Sequence, residues 1–151
     1  MMADLKKELY QQCHAYVQRR LEAAKQAIDD AQAAKNDDTK SSAGDKYETT
    51  REMMQQETDR NLAQVNEANK LKVALSTIST AAGKGIVEPG SVVITDNGRF
   101  YMAISAGVLT VNSEDYYAVS SASPIGMKLK GLQSGNKFIL NEKSYLIKHV
   151  I

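Results

Sequence analysis

From about residue 4 to residue 82, apolar side chains recur in steps of three and four. Leu9, Cys13, Tyr16/Val17, Leu21, Ala24, Ile28 and Ala31 form one stripe. Tyr47, Met54, Leu62, Val65, Ala68, Leu71/Lys72, Leu75 and Ile78 form a second, with polar Thr58 in its seam. The other positions are charged or amide, so each stripe is a narrow coiled-coil seam rather than the wide face of a globular helix. A seam that narrow is satisfied by one similar partner. The connection between the two is short, which predicts an antiparallel helical hairpin. With about thirty residues in each arm, such a hairpin is a rod of roughly 45 Å.

After Gly83 the period shortens. SVVIT and RFYMAIS flank Asp96-Asn97-Gly98, and Asn-Gly is a hairpin signal because both residues tolerate positive φ. GVLTVN, DYYAVS, KFIL and SYLIKHVI continue in short β-rich runs. Between them, Ser123 suits a helix N-cap, Pro124 the first helical position and Gly131 the end, with Ile125 and Leu129 four apart on one face. The pattern predicts an α+β chain. Residues 1–82 form the hairpin, with its tip near 36–45. Residues 83–90 form a linker within AAGKGIVEPGS, and residues 91–151 form a small, strongly bent antiparallel sheet with one short helix. With so few residues, the core of that sheet is thin.

Composition sharpens this division. Eight of the nine glycines and both prolines and phenylalanines lie from Gly83 on. The 151 residues carry 19 basic and 18 acidic side chains, a net charge of +1, which is not the signature of tight polyelectrolyte binding. A single cysteine, Cys13, excludes an internal disulfide. With only His14 and His149, a self-contained zinc site is not expected. MMADLKKELYQQ has no apolar signal core, and no apolar run is long enough to span a bilayer; a cytoplasmic protein without membrane contact is expected.

The chain also lacks a Gly-rich phosphate loop, G-x-S-x-G, and a Cys/His pair at catalytic spacing. Cys13 and His14 are adjacent on a helix and point apart. Cys13 reads as a small seam residue and His14 as a solvated one. No active site of its own is expected, so the chain reads as a binding protein and not an enzyme, with no metal of its own.

The segment KNDDTKSSAGDKYETTRE, residues 35–52, joins the two seams. Ser42 and Asp45 make an S-x-x-D capping box for the second helix. Asp37 and Asp38 end the first, where the helix dipole disfavours negative charge. The segment therefore has two readings, a polar turn or an acidic tip presented to a metal or a basic pocket elsewhere. Tyr47 and Arg51 add an aromatic and a cation beside it, although a seam residue and a solvated cation are the plain readings.

AVSSASPIGMKLKGLQSGNKFILNEKSYLIKHVI, residues 118–151, resembles the C-terminal domain of the Gre transcription elongation factor family (GreA/GreB-like). The matching pieces are Ser123-Pro124-Ile125, Leu129, Gly131, Gly135 and the terminal YLIKHVI. PGSVVITDNGRFYMAIS resembles the first hairpin of the same domain, and DKYETTRE resembles the segment that opens the family's second helix. The order of the pieces matches over most of the chain. The resemblance implies a coiled-coil finger followed by an FKBP-like domain. That domain docks on bacterial RNA polymerase through the turn Ser123, Pro124, Ile125 and Gly126. The finger enters the secondary channel, where tip acids share the polymerase's Mg²⁺ and promote cleavage of backtracked RNA. The implied partner is the polymerase, with nascent RNA contacted indirectly, and the protein acts as a monomer.

One departure bears on mechanism. The family's acidic pair precedes the matching Tyr in a D-x-x-E-N-A-E-Y-like run, and counting back from Tyr47 puts Lys40 and Ala43 at those places. The nearest carboxylates are Asp37, Asp38 and Asp45. Alternative readings are a channel-occupying regulator that does not stimulate cleavage, and an adaptor that grips another partner with its hairpin. A prolyl isomerase reading rests on the implied FKBP-like fold alone.

Overall fold

A computed structural model of the chain describes residues 2–40 and 45–151, and the side chains of residues 4–34 and 51–151. The chain is α+β. Two long helices, α1 (Met2–Lys40) and α2 (Asp45–Ser76), precede strands β1 (Val92–Thr95), β2 (Gly98–Ala103), β3 (Gly107–Val111) and β4 (Glu114–Ser120). The short helix α3 (Pro124–Leu129) follows, then β5 (Lys137–Leu140) and β6 (Lys143–Val150). The chain divides into two compact units. One holds residues 17–72, and the other holds residues 1–16 together with 73–151.

In the helical unit the buried positions keep the heptad step. Val17, Leu21 and Ala24 are buried on α1, and Asn61 and Ala68 on α2, with Met54, Thr58, Val65 and Leu71 half-buried. The structure corrects the seam at one place. Leu62 is 48% exposed and Asn61 takes the buried position. The alternating steps 54, 58, 61, 65, 68 hold one face of the helix, whereas residue 62 lies a further 100° round it. The Asn61 amide nitrogen is buried without a hydrogen-bond partner among the described residues.

In the other unit the six strands form one sheet in the order β3-β4-β2-β1-β6-β5. The expected antiparallel sheet is corrected here. β2 and β4 pair in parallel, with Phe100 opposite Tyr117 and Met102 opposite Val119, so the sheet is mixed. The cause is local. Ile104–Ala106 carries the chain past the sheet edge, β3 runs back outside, and β4 slots between β2 and β3. The hairpins at Asn112-Ser113 and Asn141-Glu142 have positive φ at both turn residues (52° and 65°; 51° and 66°), which matches the strand twist.

The expected β1–β2 hairpin forms, but its turn is Asp96-Asn97, and of the Asn-Gly pair only Gly98 takes positive φ, at 129°. The turn side chains explain the shift. Asp96 Oδ1 accepts from the Leu146 amide at 2.8 Å, and Asn97 Nδ2 donates to the Ser144 carbonyl at 2.6 Å, tying the turn to β6.

Alternation along the strands makes two faces. Val93, Phe100, Met102 and Ile147 form one core with Val87 and Leu129 of α3. The pairs Val92–Tyr101, Tyr101–Ala118 and Leu109–Tyr116 lie on the opposite face. That face is covered by the first turns of α1, where Leu9 and Cys13 are fully buried and Gln12 Nε2 donates to the Thr110 carbonyl at 2.9 Å. Lys6, also buried, donates from Nζ to the Ala81 carbonyl at 3.0 Å. Loss of hydration pushes its pKa down, partly offset by Glu88.

Burial pushes the Cys13 thiol from 9.0 up to about 12, and burial likewise raises the Tyr101 hydroxyl, which has no hydrogen-bond partner among the described residues. Above pH 9 the unfolded chain gives up the Cys13 proton while the folded one keeps it, so stability falls as pH rises toward 12. Denaturant midpoints measured from pH 8 upward should therefore decline above about pH 9, and Cys13→Ala should flatten the decline without abolishing it, because Tyr101 remains. Asn61→Leu should raise the free energy of unfolding by about 1 kcal/mol or more, since it removes an unpaired buried amide. Thermal or urea unfolding at neutral pH measures this directly.

Candidate functional site

The turn between β4 and α3 is built by short-range hydrogen bonds. Ser123 is the N-cap, in extended backbone (φ −70°, ψ 158°), and Pro124 opens the helix with a φ already suited to it. Ser123 Oγ accepts from the Gly126 amide at 3.1 Å and donates to the Ser120 carbonyl at 2.7 Å. The Ser123 carbonyl then takes the Met127 amide at 2.8 Å. Gly126 is buried so closely against the strand end that an added Cβ would sit 2.0 Å from the Ser120 carbonyl oxygen. No residue but glycine fits there.

This packing sorts the four sequence-predicted docking residues. Gly126 is sealed inside, Ile125 is half-buried against the Leu129 core, Ser123 is half-buried in its capping bonds, and Pro124 is exposed. Met127, which sequence reasoning did not single out, is 68% exposed next to them. The turn exposes apolar Pro124 and Met127, followed by the exposed Lys128. The far end of α3 is tied down as well, because the Gly131 amide donates to the Val87 carbonyl at 2.9 Å.

The predicted tip is seen only in part. Asp37 and Asp38 fall within α1, and Asp45 and Tyr47 in the first turn of α2, but their side chains lie outside the described residues. The proposed cap Ser42 also lies outside them. Arg51 is described, exposed on α2. Among the described residues, no three of His, Cys, Asp or Glu come together in a group able to hold a metal ion, and no helix is long and apolar enough to cross a membrane.

A second feature was not visible in the sequence. A groove of about 610 Å³ opens between the first turns of α1 and the β3–β4 hairpin, lined by Asp4, Leu5, Glu8, Thr110, Asn112 and Tyr116 among others. Its walls come from residues a hundred positions apart, so no local spacing announces it. Burial, then the neighbouring Glu114, raises the Tyr116 hydroxyl, which donates to Glu114 Oε2 at 3.3 Å. Glu114 is also 3.5 Å from Arg99, whose guanidinium lies 6.0 Å from the Tyr116 ring centre.

No protein-family model matches the chain, and comparisons with curated proteins and with solved structures likewise find no match. The functional reading therefore rests on the residues themselves.

Gly126→Ala should cost about 2 kcal/mol or more, because the new methyl drives β4 and α3 apart. Ser123→Ala should cost about 1 kcal/mol through loss of the cap. Equilibrium unfolding of the two variants checks both values, and a Gly126→Ala protein as stable as wild type would contradict the close approach.

Proposed function

We propose that this protein is a Gre-type factor that binds bacterial RNA polymerase and acts on backtracked or paused complexes. In this reading the two long helices form an antiparallel coiled-coil hairpin that enters the secondary channel. The β-rich unit is FKBP-like and stays at the channel rim. The observation that carries the reading is the Ser123–Gly126 turn. It stands where the resemblance puts the docking turn, and Pro124 and Met127 are exposed on it beside the Ser123 cap and the close approach of Gly126.

The chain's own contribution is positional. Hydrolysis of the RNA belongs to the polymerase and its magnesium. Asp37, Asp38 or Asp45 would add carboxylate oxygens beside that ion, with Tyr47 and Arg51 flanking. The heptad spacing supports a paired-helix seam, since buried positions recur seven apart on both helices, Val17 and Ala24 on α1 and Asn61 and Ala68 on α2.

A second reading has one observation in its favour. Lys40 and Ala43 stand where the family's acidic pair belongs, so the protein could occupy the channel and modulate transcription without stimulating cleavage.

Stalled, backtracked elongation complexes separate the two. Polymerase pulldown should recover wild type and the Asp37→Ala/Asp38→Ala variant alike. Wild type should stimulate RNA cleavage, and the double variant should lose about tenfold or more of that stimulation. Binding without stimulation by wild type would assign the non-cleaving role, and absence of polymerase binding would overturn both.

A further inference from the structure

One amide ties together the two walls of the groove between α1 and the β3–β4 hairpin. Gln12 Nε2 donates along its own helix to Glu8 Oε1 at 3.3 Å, and across to the Thr110 carbonyl at 2.9 Å. A carboxylate oxygen and a carbonyl oxygen from opposite walls therefore share one donor and stand side by side. Both keep accepting capacity, because a carbonyl oxygen has two lone pairs and a carboxylate about four. Apolar surface lies next to them, since Leu5 is half-buried in the groove and Val111 and Tyr116 are buried.

The donors around the groove are already spent. The Tyr116 hydroxyl donates to Glu114 at 3.3 Å, and the Thr110 hydroxyl to Asp115 at 2.8 Å. Among the described residues the lining holds Asp4 and Glu8 and no cation. Asp4 engages another group, so Glu8 is the anchor. The neighbouring cations are used elsewhere. Lys6 gives its ammonium to the Ala81 carbonyl. Lys7 lies about 100° round the helix from Glu8, on the side away from Leu5. Arg99 is matched by Glu114 at 3.5 Å and sits 6.0 Å from the Tyr116 ring centre, so that ring is not left for a second cation.

An anion would meet acceptors here and no free donor. A neutral apolar ligand would cover the Glu8 carboxylate without replacing its water. A cation on an aliphatic stem satisfies both surfaces. A guanidinium does so best, because its planar fork carries five donors and can meet two neighbouring acceptors at once. The rim indicates the source. Glu8, Thr110 and Asn112 are exposed and β3 is an edge strand, so the groove opens sideways and leaves room for the chain that carries the stem. A small molecule is held instead by a cavity that encloses most of it.

We infer that this groove receives an arginine side chain of a partner protein, with the guanidinium on Glu8 and the Thr110 carbonyl and the stem along Leu5 and Val111. The inference stands apart from the polymerase reading, and its test needs no polymerase.

The probe is an acetylated, amidated Gly-Gly-Arg-Gly-Gly peptide, titrated to about 10 mM into the isotope-labelled full chain and followed by amide NMR shifts. The expected result is saturable shifts at Leu5, Glu8, Thr110 and Asn112. The same peptide with citrulline, equal in shape but neutral, should bind about threefold or more weaker, and Glu8→Gln should weaken the arginine peptide to a similar degree. Glu8→Lys should abolish binding by placing the chain's own ammonium in the groove. Glu22→Gln, elsewhere on α1, should leave it unchanged. Both positions are exposed, and circular dichroism and melting establish that each variant is folded. No saturation at that concentration, citrulline binding like arginine, folded Glu8→Gln or Glu8→Lys binding like wild type, or equal weakening by Glu22→Gln overturns the inference. Agmatine, the free amine with the same guanidinium and stem, should bind no more tightly than the peptide. Tighter binding of agmatine would assign the groove to a small molecule and overturn the protein partner.

Discussion

A sheet whose central strands are buried on both sides needs two covers, and this requirement organises the β-rich unit. Val92 and Val93 are adjacent on β1, point to opposite faces, and are both fully buried. The six-residue α3 covers one face through Leu129 and Ile125. It is too short to reach the other. The second cover comes from the first turns of α1, whose Leu9 and Cys13 close over the Tyr101 face. Burying apolar area on one face alone would leave a sheet this small with little margin.

That arrangement decides how the turn at Ser123 behaves. The turn starts at the end of β4, a strand held on both sides by β2 and β3. Its other end is fixed by the exchange between Val87 and the segment after α3, where the Val87 amide donates to the Leu132 carbonyl at 2.9 Å. The segment carrying Pro124 and Met127 is therefore tied to the sheet at both ends. A surface held this way meets a partner without first losing conformational freedom.

Much of this was legible locally. Three- and four-residue spacing located both long helices, and Ser123, Pro124 and Leu129 located α3 together with its buried face. The strand runs appeared where β-branched and aromatic residues cluster. The parallel pairing of β2 with β4 was not legible, because strand order depends on how Ile104–Ala106 crosses the edge and not on the composition of either strand. Hydrophobicity alone favours Leu62, whereas the register of the helix face puts Asn61 in the buried position. The groove beside Tyr116 was hidden for another reason. It is assembled from segments that come together only when the sheet closes.

The lid formed by α1 also sets a timetable. Gln12 bonds to Thr110, a residue 98 positions later, and Leu9 and Cys13 are buried in the same unit as β1 to β6. On a ribosome these helical turns emerge early, yet the sheet they cover exists only after nearly a hundred further residues have been made. Until then their apolar side has no strand to rest on. Pairings this distant in the chain are slow to form, and an uncovered stripe during synthesis is the state that chaperones recognise. Nascent chains paused before β4 should therefore be the species in which this protein is most vulnerable to aggregation.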